Sequence, residues 1–303
     1  MRKTTWMKNI GLLLLAFAPA GCPSEPTGET PVGKWLLREP VTGQNYYIYV
    51  PNRYRHETPA PVIISCHGTV PFDVSNSHIE TWKGFGERYG FIIVCPDLVG
   101  TDGILGDGPV SAMLECERRI LSILSTLSHK YNLDRANVFL TGFSGGGFPT
   151  YFVGLRHTDI FRAVAPRNSN FNERNLDGWY PPEARSMPMF IVWGDSDPAT
   201  IKAQAENAVN YLRRKGFRPT TKILPSTGHE RKPRYSMDFF LAHRNPTPQG
   251  TMTFSSSPAS ARPRPSPATP VRPSASPRTP APPRRTAPPR PSPRERTYDA
   301  PPP

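Results

Sequence analysis

The segment Val138-Phe139-Leu140-Thr141-Gly142-Phe143-Ser144-Gly145-Gly146-Gly147 carries the strongest structural signal in the chain. An apolar strand leads into a G-x-S-x-G turn, and a helix is predicted directly after it, over residues 148–155. Side chains two residues before and two residues after the serine would collide in such a sharp turn, and the glycines at 142 and 146 avoid this. The pattern therefore predicts a serine whose Oγ is exposed where the strand meets the helix.

A nucleophilic serine needs a histidine base, and the histidine needs a carboxylate that fixes its tautomer and stabilises its positive charge. Asp197 follows a predicted strand at 187–193, and His229 follows another at 221–224. We predict that Ser144, Asp197 and His229 form a catalytic triad, with Asp195 as the competing acid. The alternative is an idle serine in a glycine-rich turn, with aspartates that only cap a turn or helix.

Two backbone N–H groups are candidates for stabilising the oxyanion that a serine nucleophile generates. One is the Gly145 N–H, which the helix after the serine directs toward that oxygen. The other follows the apolar strand predicted at 62–66, which ends in His67-Gly68-Thr69. We assign this second donor to Thr69, with Gly68 as the alternative, and we interpret His67 as a structural residue that braces the loop.

Short apolar runs alternate with helical periodicity along the chain. Strands are predicted at 44–50, 62–66, 91–95, 138–141, 163–165, 187–193 and 221–224. Helices are predicted at 111–130, after Ser144, at 200–215 and at 233–244. Several strands are apolar throughout, as expected for strands that are covered on both faces. We therefore predict a single α/β domain over 33–244, with a mostly parallel sheet and helices on both faces.

The last 59 residues, 245–303, contain 19 prolines and nine arginines, and we predict that they are disordered because they cannot bury enough apolar surface. This tail contributes +7 to the formal net charge of +13, and the first 21 residues contribute +3. The folded region is thus close to neutral, which argues against a nucleic-acid partner. We interpret the tail as a spacer, the alternative being a basic arm that binds anionic cell-envelope polymers.

The N-terminus has the features of an export signal over residues 1–21. A basic segment is followed by nine apolar residues at 10–18, which are too few to span a bilayer. The sequence Pro19-Ala20-Gly21-Cys22 resembles a bacterial lipobox, in which the cysteine is lipidated and becomes the mature N-terminus. An ordinary signal cleaved after Ala18-Pro19-Ala20 is the alternative. Either interpretation predicts a protein of the bacterial cell envelope or a secreted one, with a short linker at 22–32.

Three further cysteines, Cys66, Cys95 and Cys116, lie within the predicted domain. Their spacing does not match a C-x-x-C metal motif, so no zinc site is predicted. Cys66 and Cys95 end two apolar runs, and a disulfide between them is one interpretation in an oxidising compartment. Buried free thiols are the interpretation that we favour.

The domain resembles the α/β-hydrolase esterases grouped with polyhydroxybutyrate depolymerases and with feruloyl and acetylxylan esterases. The matching elements are 46–51 (Tyr-Tyr-Ile-Tyr-Val-Pro), His67-Gly68, 90–97 (Gly-Phe-Ile-Ile-Val-Cys-Pro-Asp), 131–134 (Tyr-Asn-Leu-Asp) and the Ser144 turn. The chain departs from the group at 69–71, which lacks the usual cysteine or further glycine, and at 230–233, which lacks an aromatic–proline pair.

Together with the export signal, the resemblance implies an exported serine ester hydrolase, and the triad mechanism needs no metal or organic cofactor. Carbohydrate-linked, aromatic or polyester-type esters are the expected substrates, and residues 167–188, which include Trp179 and Tyr180, are candidates to line the pocket. A surface excursion with its own aromatic cluster is the alternative for that segment. The alternatives for the whole chain are a prolyl-oligopeptidase-type serine peptidase and a non-catalytic envelope-binding lipoprotein that retains the fold.

Overall fold

Eight strands form one sheet in the computed structural model, which describes residues 31–101 and 108–250. The strands are β1 (Gly33–Arg38), β2 (Asn45–Val50), β3 (Ala60–Cys66), β4 (Ile92–Pro96), β5 (Leu133–Ser144), β6 (Ala163–Ser169), β7 (Phe190–Gly194) and β8 (Thr220–Leu224). Their order across the sheet is β1-β2-β4-β3-β5-β6-β7-β8. β1 and β2 are antiparallel to their neighbours, and every pair from β4 to β8 is parallel.

Helices cover both faces of this sheet. They are α1 (Ser75–Tyr89), α2 (Val110–Ser128), α3 (Gly147–Arg156), α4 (Ala199–Arg214) and α5 (Pro233–His243), with short 3₁₀ helices at Glu173–Asn175 and Pro182–Ser186. The apolar stripes of α2, α3 and α4 share one core with the sheet, whereas α1 and α5 bury Trp82, Met237 and Phe240 in a second core on the other face. The predicted fold class is confirmed.

Two elements were not predicted from the sequence, β1 and α1. β1 is an edge strand whose side chains are mostly exposed, and its apolar run, Trp35-Leu36-Leu37, is short and flanked by Lys34 and Arg38. α1 contains Gly84 and Gly86, which weaken the helical signal because glycine has a low helix propensity. Gly86 has a packing role, since a Cβ there would lie 2.8 Å from Cγ1 of Ile93 on β4.

The three cysteines among the described residues are free and buried, as favoured from the sequence. The alternative, a disulfide between Cys66 and Cys95, is wrong. In the parallel register of β3 and β4, Ile64 pairs with Val94, so Cys66 and Cys95 point to opposite faces of the sheet. Cys66 accordingly belongs to the first core, together with Cys116, and Cys95 belongs to the second.

The chain remains attached to the domain beyond the boundary predicted at 244. Asn245 exchanges two hydrogen bonds with the side chain of Asn137, and the Gln249 N–H donates to Asp134 Oδ1 at 3.0 Å. The predicted signal (1–21), Cys22, most of the linker and the tail from 251 onward lie outside the described residues. Within the described ranges, no helix combines the length and the apolar character that a bilayer span requires.

Candidate active site

Ser144 is the last residue of β5, where the chain turns sharply into α3. Its φ is 52°, in the left-handed region that non-glycine residues rarely adopt. A Cβ on Gly142 would lie 2.1 Å from the Gly146 carbonyl oxygen, and one on Gly146 would lie 2.4 Å from the Cys66 carbonyl oxygen. Both glycines are therefore required for the close packing that holds the serine at the end of the strand.

His229 connects Ser144 to Asp197. Its Nε2 lies 3.0 Å from Ser144 Oγ, and its Nδ1 lies 2.8 Å from Asp197 Oδ1. Because a carboxylate only accepts hydrogen bonds, Nδ1 carries the proton, and Nε2 accepts from the serine hydroxyl. The loop that carries His229 follows β8 and crosses the end of β7 at Gly194, where a Cβ would lie 1.9 Å from the Thr227 carbonyl oxygen.

Asp197 and Asp195 have different surroundings, although both follow β7. Asp197 is 3% exposed, and its second oxygen accepts hydrogen bonds from the Gly194 N–H at 2.7 Å and from Asn168 Nδ2 at 2.5 Å. Asp195 is exposed and accepts from Ser196 Oγ and from the Ser226 N–H, which lower the pKa of its carboxyl group. The structure thus brings Asp197, and not Asp195, to His229.

Asn168 belongs to the site but was not predicted to contact Asp197. It lies in β6 with a φ of 44°, and its amide group reaches Asp197 Oδ2 and the Gly228 carbonyl oxygen. An amide that donates to the second carboxylate oxygen holds Asp197 in its orientation toward His229. The available sequence signal was the placement of asparagine, a residue that tolerates positive φ, at the end of a buried strand.

The loop after β3 packs directly against the serine, since a Cβ on Gly68 would lie 3.0 Å from Ser144 Cβ. The Gly68 N–H donates to Asp73 Oδ2 at 2.7 Å, so it is not directed at a substrate. The Gly68 carbonyl oxygen accepts from His67 Nδ1 and from Thr101 Oγ1, each at 2.8 Å. Because a trans peptide is planar, these two bonds fix the direction of the Thr69 N–H, which points away from that carbonyl. Of the two residues weighed for the second donor, Gly68 already donates to Asp73, and Thr69 stays the predicted donor.

His67 has both ring nitrogens engaged with backbone groups. The Leu98 N–H donates to Nε2 at 3.0 Å, so the proton is on Nδ1 and is donated to the Gly68 carbonyl oxygen. Burial lowers the pKa of this histidine below its usual value, which favours the neutral form that this arrangement needs. The side chain braces the loop, as expected from the sequence.

A buried polar network lies beneath this loop and was not predicted. His78 contacts Asp73 Oδ2 through Nε2 and Ser65 Oγ through Nδ1, both at 2.7 Å. Arg167 is fully buried on β6, donates to Thr141 Oγ1 at 3.0 Å and lies over the Trp82 ring. An arginine directly after the apolar segment 163–166 was the available signal, because a buried charge requires partners.

The stability of the protein is expected to fall as the pH is lowered from about 6.5 to about 4. Burial lowers the pKa of His78 from 6.5 to about 4, an effect that Arg167 reinforces and Asp73 opposes. In this window the unfolded chain binds a proton that the native protein does not, so the free energy of unfolding decreases with falling pH.

Urea unfolding of wild type and His78→Gln at pH 7 and pH 5 measures this effect. The loss between the two pH values is expected to be about 2 kcal/mol smaller in His78→Gln. Replacement of the exposed His129 by glutamine is the matched control, and the wild-type loss is expected there. Equal losses in wild type and His78→Gln would contradict the assignment.

Trp179 and Tyr180, candidates to line the pocket, pack against the domain instead. The Trp179 ring lies 5.9 Å from that of Phe152, with the Arg156 guanidinium 5.1 Å from its centroid. Tyr180 makes an edge contact with Phe217 at 5.2 Å. These two residues therefore fit the alternative interpretation, in which residues 167–188 form a surface excursion with its own aromatic cluster.

Sequence relatives of the chain include feruloyl and acetylxylan esterases. It is 26% identical over 179 residues to a bifunctional acetylxylan esterase/xylanase, XynS20E, from Neocallimastix patriciarum, covering 58% of this chain and 25% of that protein. It is 25% identical over 215 residues to a probable feruloyl esterase C from Aspergillus terreus, covering 69% and 73%. The chain spans less than half the length of some of the relatives it matches. No protein-family model matches the sequence.

Solved structures with the same fold include the ferulic acid esterase AmCE1/Fae1A from Anaeromyces mucronatus, with a TM-score of 0.57 at 17% identity over 72% of this chain and 91% of that one. A putative dipeptidyl aminopeptidase IV from Bacteroides ovatus gives a TM-score of 0.52 at 16% identity over 70% and 35%. The chain is thus an α/β-hydrolase by fold. The predicted resemblance to the feruloyl and acetylxylan esterases is confirmed.

Proposed function

We propose that this protein is a serine ester hydrolase that uses Ser144, His229 and Asp197. The single observation that carries the proposal is the hydrogen-bonded chain of these residues, with distances of 3.0 and 2.8 Å, at the carboxyl ends of the parallel strands. A histidine whose tautomer is fixed by a buried carboxylate is suited to take a proton from the serine hydroxyl.

In this mechanism Ser144 Oγ attacks the ester carbonyl carbon while His229 Nε2 accepts the hydroxyl proton. Asp197 stabilises the imidazolium through Nδ1–H, and the N–H groups of Gly145 and Thr69 stabilise the oxyanion. The tetrahedral intermediate collapses, and the alcohol leaves with the proton from His229. Water, deprotonated by His229, then attacks the acyl-enzyme and releases the acid.

We propose esters of acetate or of aromatic acids with carbohydrates as the substrates, with polyester-type esters as the alternative. The sequence relatives support the first class, since they include feruloyl and acetylxylan esterases. Solved peptidases such as the dipeptidyl peptidases at 16% and 14% identity share the fold, which does not favour the prolyl-oligopeptidase-type alternative over an esterase.

A substrate panel tests this proposal. The full protein is assayed with p-nitrophenyl acetate, methyl ferulate, acetylated xylan, a hydroxybutyrate oligomer and a prolyl peptide anilide. Turnover of the acetyl and feruloyl esters, without cleavage of the anilide, is the expected result. Cleavage of the peptide with little ester turnover would support the peptidase instead.

We further propose that residues 1–21 are an export signal and that Cys22 carries a lipid anchor, which would hold the domain at a bacterial membrane through the linker at 22–32. The proposal rests on the apolar segment at 10–18 and on the lipobox-like sequence at 19–22. In this arrangement the tail, residues 245–303, serves as a spacer or contacts anionic envelope polymers.

Replacement of Cys22 by serine is expected to move the protein from the membrane fraction to the soluble fraction of an expressing bacterium. The intact mass of the wild type is expected to exceed that of the chain starting at Cys22 by the mass of its lipids. Cys66→Ser, which alters a buried thiol of the domain, is the control and is expected to stay in the membrane fraction. A wild type with the mass of an unmodified chain would contradict lipidation.

A further inference from the structure

Two loops that the proposed mechanism requires come from distant parts of the chain. The oxyanion loop, residues 67–73, follows β3, and the histidine loop, residues 225–232, follows β8 at the edge of the sheet. Four other parallel strands, β5, β6, β7 and β8, lie on the same side of β3, so neighbouring-strand pairing does not fix the distance between these loops. A direct contact between the two loops contributes to this distance.

Asp73 and Arg231 make this contact. Asp73 is 4% exposed, and its Oδ1 accepts from Arg231 Nε at 2.9 Å and also from Arg231 Nη2. Its Oδ2 accepts from the Gly68 N–H at 2.7 Å. One oxygen of the Asp73 carboxylate thus holds the Gly68 peptide, next to the proposed oxyanion donor. The other oxygen holds the guanidinium of Arg231, two residues after His229.

Arg231 is fixed at three points. Its side chain binds Asp73, its carbonyl oxygen accepts from the buried Arg167, and its guanidinium lies 5.8 Å from the centroid of the Phe143 ring. The same ring packs against the His229 imidazole at 4.6 Å. Movement of Arg231 therefore changes the support of the imidazole as well as the backbone of its loop.

We propose that Asp73 is a positioning residue, which acts through Arg231 to hold the histidine loop at a fixed distance from the oxyanion loop. The proposal rests on the serine hydrolase mechanism above. In that mechanism positive charge develops on His229 while negative charge develops beside Gly145 and Thr69. Donors stabilise such charges only when they are already in place, and a displacement of about 1 Å can cost about 100-fold in rate.

Hydrogen bonds explain how Asp73 remains ionised at this buried position. Burial by itself would raise its pKa, but the bonds from His78, Arg231 and the Gly68 N–H together hold the pKa well below its usual value. The carboxylate is therefore ionised at neutral pH and available as an acceptor for both loops.

The test compares Arg231→Gln, Arg231→Lys and Asp73→Asn with wild type, using enzyme quantified by fluorophosphonate titration. Arg231 is partly exposed, so Arg231→Gln provides a folded variant if Asp73→Asn does not fold. Arg234→Gln removes a charge from an exposed arginine three residues away and is the matched control. The substrate is p-nitrophenyl acetate, and the probe of the oxyanion site is a boronic acid that forms a tetrahedral adduct with the serine.

We expect kcat for Arg231→Gln and Asp73→Asn to fall about 10- to 100-fold, with KM changed less than about threefold. The inhibition constant of the boronic acid is expected to rise by the same factor as kcat/KM falls, since both depend on the oxyanion geometry. Arg231→Lys, which keeps the charge, is expected to recover part of the loss, and Arg234→Gln to match wild type within about twofold.

Three results would overturn the proposal. In the first, the Arg231→Gln variant retains wild-type kcat although the wild type reacts with the fluorophosphonate. This result would reject the role of Asp73 and Arg231 but not the hydrolase mechanism. In the second, kcat falls but boronic acid affinity does not change, so the loss lies outside the oxyanion site. In the third, the wild type itself fails to react with the fluorophosphonate, which overturns the proposed function together with this inference.

Discussion

Replacing Ser144 with alanine is expected to lower ester turnover by about a millionfold and to abolish the covalent adduct with a fluorophosphonate. The reason is the hydrogen bond of 3.0 Å to His229 Nε2, through which the proposed mechanism activates Ser144 Oγ as the nucleophile. Intact mass spectrometry of the full protein measures the adduct without knowledge of the substrate. One adduct on the wild type and none on Ser144→Ala is the expected result.

The exposed Ser186 provides the matched control, since Ser186→Ala also removes a hydroxyl group but lies outside the site. We expect this variant to form the adduct at the wild-type rate. Adduct formation on Ser144→Ala would exclude Ser144 as the nucleophile. A folded wild type that forms no adduct would favour the alternative of a binding protein that retains the fold.

The second large expected effect is a difference in kcat between variants of the two aspartates that follow β7. Asp197→Asn is expected to reduce kcat about 10⁴-fold, because an amide in place of the carboxylate favours the wrong tautomer of His229. Asp195→Asn is expected to change kcat less than tenfold, because Asp195 binds the turn at Ser196 and Ser226 and does not contact the imidazole. Steady-state kinetics with p-nitrophenyl acetate distinguishes the two variants.

Each variant of this pair serves as the control for the other, since both convert an aspartate to an asparagine within one turn. Thermal unfolding of both variants establishes that the compared proteins are folded. A larger loss in Asp195→Asn than in Asp197→Asn would contradict the assignment of the acid. Equal small losses would contradict the requirement for a carboxylate at this site.

Local sequence was sufficient to predict the turn at Ser144 and the parallel sheet. The strand-to-helix turn depends on Gly142 and Gly146, and these glycines can be read directly from the sequence. Buried strands appear in the sequence as apolar runs. Edge strand β1 was missed because its apolar run is short and flanked by charged residues, and α1 was missed because two glycines weaken its helical signal.

The sequence by itself determined which residues are candidates at the site, and tertiary structure decided which of them meet. The sequence favoured Asp197 with Asp195 as the competing acid, and the crossing of the histidine loop over Gly194 brings His229 to Asp197. The Gly68 N–H is not a candidate oxyanion donor because it donates to Asp73, a residue that no sequence motif marks. The physical reason is that strand and turn signals act over a few residues. Hydrogen bonds between loops instead depend on the positions of strands that are distant in the chain.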